Sequence, residues 1–468
     1  MPASIYPFFF RHVIFPSLDL ANGTHVSRVH RFLEKSQWLP IDRLLDLQSG
    51  KLRTTLDWAA ANSGFYRSFW RDAPEERRAR SLYPDLDGVP VITKEDLRRR
   101  SDEFPLPAYR GRVLRVRTSG STGEPMVYCR SVEQESWFWA LRIRMWQWGG
   151  YVPGEPYLTL NLNPREAWKK RVKDVLFRCS YHGFNANSHD VELVLEELTR
   201  KRVRHLIGYA SSLYLLSEAM MRLGVGNPGV RSVLSTGDTL FPGYRRAIEK
   251  VFGVGVVDYY GAGGEGFHLA SQCERRLGYH LHIENSVIEI LRNRKPAGPG
   301  EIGEIVVTQL DNRAMPLIRY ATQDVAVASA EGETCPCGRA LPRIQSVQGR
   351  VPDIVLAPNG SALVVHFFTI LFEHLSGIRQ FQIIQSVPDR ILAKIVTTGD
   401  YTKEATEAKI RDAVSRATDG SLAVLFEYVS DIPVSRSNKR RFVVSSLSTA
   451  PLALDSPFET TQIQAIPS

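Results

Sequence analysis

Between about residues 105 and 340 the chain alternates short β-branched runs with helical stretches, and no other feature constrains its fold as strongly. GRVLRVRTSG, YLTLNL, VRHLIGYA, VRSVLSTG and VGVVDYYG read as strands. ESWFWALRIRMWQWG, DVELVLEELTRK, SSLYLLSEAMMRLG and FPGYRRAIEKVFG read as the helices between them. A chain that repeatedly leaves a strand, forms a helix and returns to a strand builds a layered α/β domain on a largely parallel sheet.

The flanks differ. Residues 25–80 carry apolar side chains at three- and four-residue steps and read as helices, giving a helical lead-in over about 1–85. VPVITKEDLRRR reads as a short strand followed by a helix capped by Thr93, with acidic residues in its first turn. SVIEILR and GEIGEIVVTQL are strands with no helix between them, as in a small barrel appended to the sheet. From 351 to 448, strand-like VPDIVLAPNG, FQIIQSVPDRILAKIVTT and AVLFEYV surround two helical segments, a separate α+β unit. Residues 449–468 are rich in Pro, Ser and Thr and read as a disordered tail. The expected fold class is α/β, with a large N-terminal layered α/β domain over 1–350 and a small α+β domain over 351–448.

Composition excludes several classes. With 468 residues, 43% hydrophobic and 23% charged, the chain is long enough for two or three domains and too apolar for wholesale disorder. Lys and Arg total 59 against 50 Asp and Glu, a net charge of +9, which is modest at this size. The basic clusters RRARSLYP, LRRRSDEF and KKRVKD are scattered, with acidic residues interleaved. They read as solvated helix faces, so no nucleic-acid partner is expected, while small anions such as nucleotides fit the balance. Five cysteines, an odd and sparse set, argue against a disulfide framework and for a reducing compartment. The apolar opening IYPFFFRHVIFPSLDL is interrupted by Arg11, His12 and two prolines, and no run reaches the ~18 apolar residues of a membrane span. A cytoplasmic protein without a transmembrane segment is expected.

The sharpest local signal is Thr118-Ser119-Gly120-Ser121-Thr122-Gly123-Glu124-Pro125, after one strand and shortly before a helix. Its glycines let backbone amides approach an anion closely, and its hydroxyls add donors to phosphate oxygens. It is not a Walker loop, because the GK[ST] ending is missing and Glu124 stands where a cation would help. Cysteine placement suggests a structural Zn²⁺: Cys335 and Cys337 form a tight pair, and Cys273 precedes His280 and His282. In a strand the two histidines share a face, so either could complete a Cys₃His set.

The phosphate-binding candidate is followed, in order, by STGD at 235–238, YYGAGGEG at 259–266, RYATQD at 319–324, GRVPD at 349–353 and SRSNKRR at 435–441. This ordered set resembles the adenylate-forming superfamily of acyl-CoA synthetases, adenylation domains and luciferases. CPCGRALPRI, MPLIRYATQD and QFQIIQ are similar to the phenylacetate–CoA ligase family, closest to the members named for capsular polysaccharide biosynthesis. The resemblance implies a large adenylate-forming domain with a small, mobile C-terminal lid.

It also implies roles for individual residues. Thr118 and the loop from Ser119 through Gly120, Ser121, Thr122 and Gly123 would hold the ATP phosphates, with Gly237 also at the nucleotide site. Tyr260 and Gly261 would line the adenine and acyl pockets, Glu265 would help hold Mg²⁺, and Asp324 would bind both ribose hydroxyls. Arg350 lies near the interdomain hinge, and Lys439 would bridge substrate carboxylate and ribose during adenylation. Related members take the zinc-site histidine from the LHI segment, which favours His282 beside Cys273, Cys335 and Cys337.

Two positions depart from the family pattern. YGxTE becomes YGAGGE, with one extra residue before Glu265, and Pro352 replaces the first Asp of GRxDD, stiffening the hinge. The implied activity is ATP-dependent activation of a carboxylic acid to an acyl-adenylate with pyrophosphate release, then acyl transfer to coenzyme A. Two alternatives stand beside it: an amide ligase with an amine acceptor, and a degenerate nucleotide-binding homologue without turnover. The pocket near VLSTGDTL and DYYGAGG, with the helix of Trp137 and Trp139, shows no obvious cation for a second carboxylate. An aryl or medium-sized apolar acid is therefore expected.

Overall fold

In the computed structural model, Val256–Tyr260, Ser232–Thr236, His205–Tyr209, Tyr157–Asn161 and Cys179–Gly183 lie side by side as parallel strands. The structure describes residues 5–117, 126–161, 175–183, 188–261, 265–330, 332–350, 354–359, 361–363, 365–373, 375–433 and 441–447. The inner parallel strands are almost wholly buried, which explains their continuous β-branched runs. Helices Ser188–Arg200, Ala210–Leu223 and Pro242–Phe252 are the crossovers, and Leu158, Leu206, Val233, Leu213, Leu216, Ile248 and Phe252 share one core with them.

Past Val256–Tyr260 the sheet changes sense. Ala270–Ser271, Tyr279–Leu281, Arg343–Arg350, Tyr320–Ala328, Ile302–Gln309, Ser286–Arg292 and Lys295–Pro296 continue it as antiparallel strands, giving twelve in all among the described residues. The segment expected as an appended barrel is thus an extension of the main sheet. Tyr259 pairs with Ser271 and Arg343 with His280, so the edge left open by the last parallel strand is closed without a break.

The lead-in is helical, as its periodicity implies: Val26–Ser36, Ile41–Asn62 and Gly64–Asp72. Polar contacts register these helices on the sheet. Ser36 Oγ donates to Glu284 Oε1 (2.8 Å), and Gln48 Nε2 donates to the carbonyl of Ser286 (2.7 Å). Thr93 caps Lys94–Arg99 in a reciprocal box with Asp96.

Arg319 makes the most extensive of these ties. Its guanidinium, 0% exposed, donates to both oxygens of Glu289 (2.9 and 3.0 Å). It also donates to the carbonyls of Ala79, Arg80, Leu86 and Val89 (2.6–3.1 Å).

A second, four-stranded sheet runs in the order Ala423–Tyr428, Arg390–Thr397, Ile378–Val387, Val443–Ser445. Helices Val365–Glu373 and Lys403–Ala417 pack on it around Phe368, Ile383, Ile391, Ile395, Ile410 and Val414. Phe241, from the start of Pro242–Phe252, joins this core edge-on to Phe442 at 5.2 Å. The tail expected over 449–468 lies outside the described residues. Among the described residues no helix is long and apolar enough to cross a membrane.

Replacing Arg319 with Met removes the guanidinium donor from Glu289 and from four carbonyls. Arg319→Met should therefore lower unfolding free energy by about 3–5 kcal/mol in urea titration. The double variant with Glu289→Met should recover part of that loss.

Candidate functional site

Three of the residues singled out by sequence lie at the carboxyl ends of parallel strands, where open α/β sheets place their clefts. Gly237 follows Ser232–Thr236, Tyr260 ends Val256–Tyr260, and Gly261 follows it. Gly237 has φ +83°, and a Cβ there would lie 2.2 Å from the Tyr209 ring. A Cβ on Gly261 would meet the Phe267 carbonyl oxygen at 2.5 Å and His268 Nδ1 at 3.1 Å, so only glycine permits this backbone approach.

Tyr260 and Asp324 come together across the change of strand sense: the Tyr260 hydroxyl donates to Asp324 Oδ2 at 2.7 Å. Asp324 owes its position to a bulge. Glu304 pairs with Val325 and Val306 with Ala321, so Thr322, Gln323 and Asp324 stand opposite Ile305 alone. Gln323 takes φ +64°, and the Asp324 amide donates to Thr322 Oγ1 at 3.1 Å. Bulges re-aim a side chain out of the pleat, and here one presents Asp324 beside Tyr260. Arg350 ends the neighbouring strand directly opposite Asp324.

The loop Thr118, Ser119, Gly120, Ser121, Thr122 and Gly123 lies outside the described residues, as do Pro352 and Lys439. The strands on either side of the loop, Val113–Arg117 and Val127–Ser131, form an antiparallel hairpin closed by Arg117 opposite Val127. Glu265 lies next to that hairpin. Its carboxylate accepts from the Tyr128 hydroxyl, which is also 3.1 Å from the Tyr320 hydroxyl.

The helix Val132–Trp148 contributes differently from the sequence reading. Trp137 faces the lead-in helices, with Lys51 Nζ 4.0 Å from its ring centroid. Phe138 and Arg142, one turn apart, face the Gly261 side instead. The His268 ring stacks on Phe138 at 4.3 Å, and Arg142 Nε donates to His268 Nε2 at 3.2 Å. The Arg142 guanidinium lies 4.7 Å from both the Phe138 and Trp139 rings. Arg130 reaches the Phe138 ring at 4.5 Å and is paired with Glu135 at 3.0 Å. The i, i+4 spacing of Phe138 and Arg142 was visible in sequence. Their meeting with His268 depends on the turn after Tyr260.

Four donors converge at the centre of the antiparallel half. The ligand atoms of Cys273, His280, Cys335 and Cys337 all lie within 4.8 Å of one another. Cys273 Sγ is 3.7 Å from Cys335 Sγ, and Cys337 Sγ is 3.4 Å from His280 Nε2. The Leu341 carbonyl accepts from His280 Nδ1 at 3.3 Å, which fixes the tautomer and leaves the Nε2 lone pair facing the sulfurs. Burial pushes His280 down to about 4 and the Cys273 thiol up to about 12.

The fourth member is His280, not His282. Tyr279–Leu281 ends before residue 282, so the shared face expected of the two histidines is lost. His282 Nδ1 accepts instead from Arg144 Nη2 at 2.6 Å, beside the buried Arg144–Glu284 pair.

Residues 355–446 match the family model of the CapK C-terminal domain. The chain is 23% identical over 415 residues to a phenylacetate–coenzyme A ligase of Thermus thermophilus, covering 84% of this chain and 90% of the relative. It is 25% identical over 383 residues to that of Escherichia coli, covering 75% and 82%. The fold matches 2-hydroxyisobutyryl-CoA ligase in its postadenylation state with R3-HIB-AMP. The TM-score is 0.67 at 19% identity, over 88% of this chain and 91% of that one. The same ligase with 2-HIB-AMP and CoA in the thioesterification state matches at a TM-score of 0.56 and 19% identity, covering 88% and 91%. The chain is thus similar in sequence to phenylacetate–coenzyme A ligases and shares its fold with an acyl-CoA ligase.

Gly261→Ala drives a methyl group into the Phe267 carbonyl, and the backbone must shift to relieve it. It should cost about 1–3 kcal/mol in denaturant unfolding.

Proposed function

We propose that this chain is an AMP-forming acid ligase that activates a carboxylic acid with MgATP and passes the acyl group to coenzyme A. The observation that carries this reading is the Tyr260–Asp324 pair at the carboxyl edge of the parallel strands. Asp324 accepts a hydrogen bond from Tyr260, and a carboxylate is suited to accept from the two hydroxyls of a ribose. In the adenylation step a carboxylate oxygen attacks the α-phosphorus of ATP. The P–O bond to pyrophosphate breaks, and an acyl-adenylate forms.

The serine- and glycine-rich loop at 118–123 would hold the phosphates, and Lys439 would neutralise charge building between carboxylate and α-phosphate. Arg350, opposite Asp324 at the end of its strand, would mark the hinge between domains 1–350 and 351–448. Glu265, a carboxylate held by Tyr128, would hold Mg²⁺, which when bound neutralises phosphate charge. Coenzyme A as acceptor is the reading favoured by the similarity to coenzyme A ligases.

The test is pyrophosphate release from MgATP across aryl, aliphatic and dicarboxylic acids, with and without coenzyme A. One acid should support turnover, and coenzyme A should raise it by relieving the bound adenylate. Lys439→Ala should reduce kcat by about 10²–10³-fold. Release from no acid by a chain that still binds ATP would sink the proposal, and release driven by an amine instead of coenzyme A would move the acceptor.

The donor set Cys273, His280, Cys335 and Cys337 fits a structural Zn²⁺: three sulfurs and one imidazole with a fixed tautomer. Bound zinc would pin the loop before Arg343–Arg350 to Tyr279–Leu281. Elemental analysis should find about one zinc per chain. His280→Gln and Cys335→Ser should lose it, while His282→Gln should keep it.

A further inference from the structure

His268 holds a hydrogen-bond donor that the fold leaves without an acceptor. Arginine can only donate, so the bond from Arg142 Nε makes His268 Nε2 the acceptor. The ring is 4% exposed, and burial together with the charges of Arg142 and Arg130 holds it neutral. Its proton must then sit on Nδ1, which has no partner among the described residues. A buried N–H in this condition costs about 1–3 kcal/mol, unless a ligand supplies the acceptor.

The position of this donor is what gives it a function. Nδ1 borders Gly261, at the carboxyl end of the strand that carries Tyr260. A similar argument leaves His282 Nε2 without a partner, but that ring lies against Trp148 and the Arg144–Glu284 pair, in the core. Charge adds to the case. Arg130 is neutralised by Glu135, whereas the half-buried Arg142 has no carboxylate partner among the described residues and meets His268 and two aromatic rings. Among the described residues, a neutral donor and a cation without a carboxylate partner therefore share one aromatic wall beside Gly261.

We infer that His268 Nδ1–H and Arg142 form a specificity subsite for a second anionic oxygen on the acid substrate, making the preferred substrate a dicarboxylic acid or a similarly anionic acid. Trp139 offers apolar surface for the carbon skeleton, Phe138 backs the His268 ring, and the far carboxylate meets the donor and the cation. This replaces the expectation of a purely apolar acid, which rested on finding no cation in the pocket segments.

The inference rests on the adenylation reading of the same site, so two readouts are needed. Pyrophosphate release and direct calorimetric binding in the presence of AMP should be measured for matched pairs: phenylacetate against 4-carboxyphenylacetate, and hexanoate against adipate. The dicarboxylic member of at least one pair should be favoured by about tenfold to a hundredfold in kcat/KM and in Kd. His268→Phe, which keeps the stack on Phe138, and Arg142→Met should each bring that ratio towards one while leaving the KM for ATP unchanged. Equal treatment of both members of each pair, or a ratio that neither substitution moves, overturns the subsite. Selective binding that His268→Phe abolishes supports it even where no acid releases pyrophosphate, an outcome that would count against adenylation alone.

Discussion

The guanidinium of Arg319 ties together three parts of the chain that are far apart in sequence. It closes on Glu289 within the antiparallel strands and on the carbonyls of Ala79, Arg80, Leu86 and Val89 in the lead-in. It directly precedes the strand whose bulge presents Asp324. A buried cation with this many acceptors is stable only when all of them are in place. The lead-in, the sheet and the candidate nucleotide site are therefore held in one arrangement. Arg319 itself adopts φ +49°, a conformation costly for a non-glycine residue, and the surrounding bonds hold it there.

The sheet's change from parallel to antiparallel explains where the site lies. Parallel strands deliver their carboxyl ends, with Gly237, Tyr260 and Gly261, to one edge. The antiparallel continuation then folds back and brings Asp324 to the same edge. The chain between the two halves, from Gly261 to Ala270, carries Glu265 and His268 to opposite neighbours: Tyr128 for one, and Phe138 with Arg142 for the other. One short connection thus supplies both the candidate magnesium ligand and the candidate specificity donor.

Buried polar groups are handled in two contrasting ways. Arg144, Glu284, Ser36 and His282 are hydrogen-bonded to one another beneath the sheet, with Glu284 0% exposed. Arg130 is likewise matched by Glu135. Among the described residues, Arg142 has no carboxylate partner and the His268 Nδ1 proton has no acceptor.

The sequence by itself determined the layered α/β class, the helical lead-in and the separate C-terminal sheet, because hydrophobic period is a local property that survives into the fold. It also singled out Gly237, Tyr260, Gly261 and Asp324 as candidates, through short motifs in a fixed order. Tertiary structure alone decided the rest. The strands after Tyr260 became an extension of the main sheet because an open strand edge pairs with whatever chain reaches it. His280 joins the cysteine cluster in the place His282 was expected to fill, because Tyr279–Leu281 ends one residue too early for the pair to share a face. Arg142 stands in the helix of Trp137 and Trp139, yet its role is set by His268, 126 residues away. Which charges meet, and which are left without a counter-charge, depends on contacts between distant segments, and no local pattern of residues encodes them.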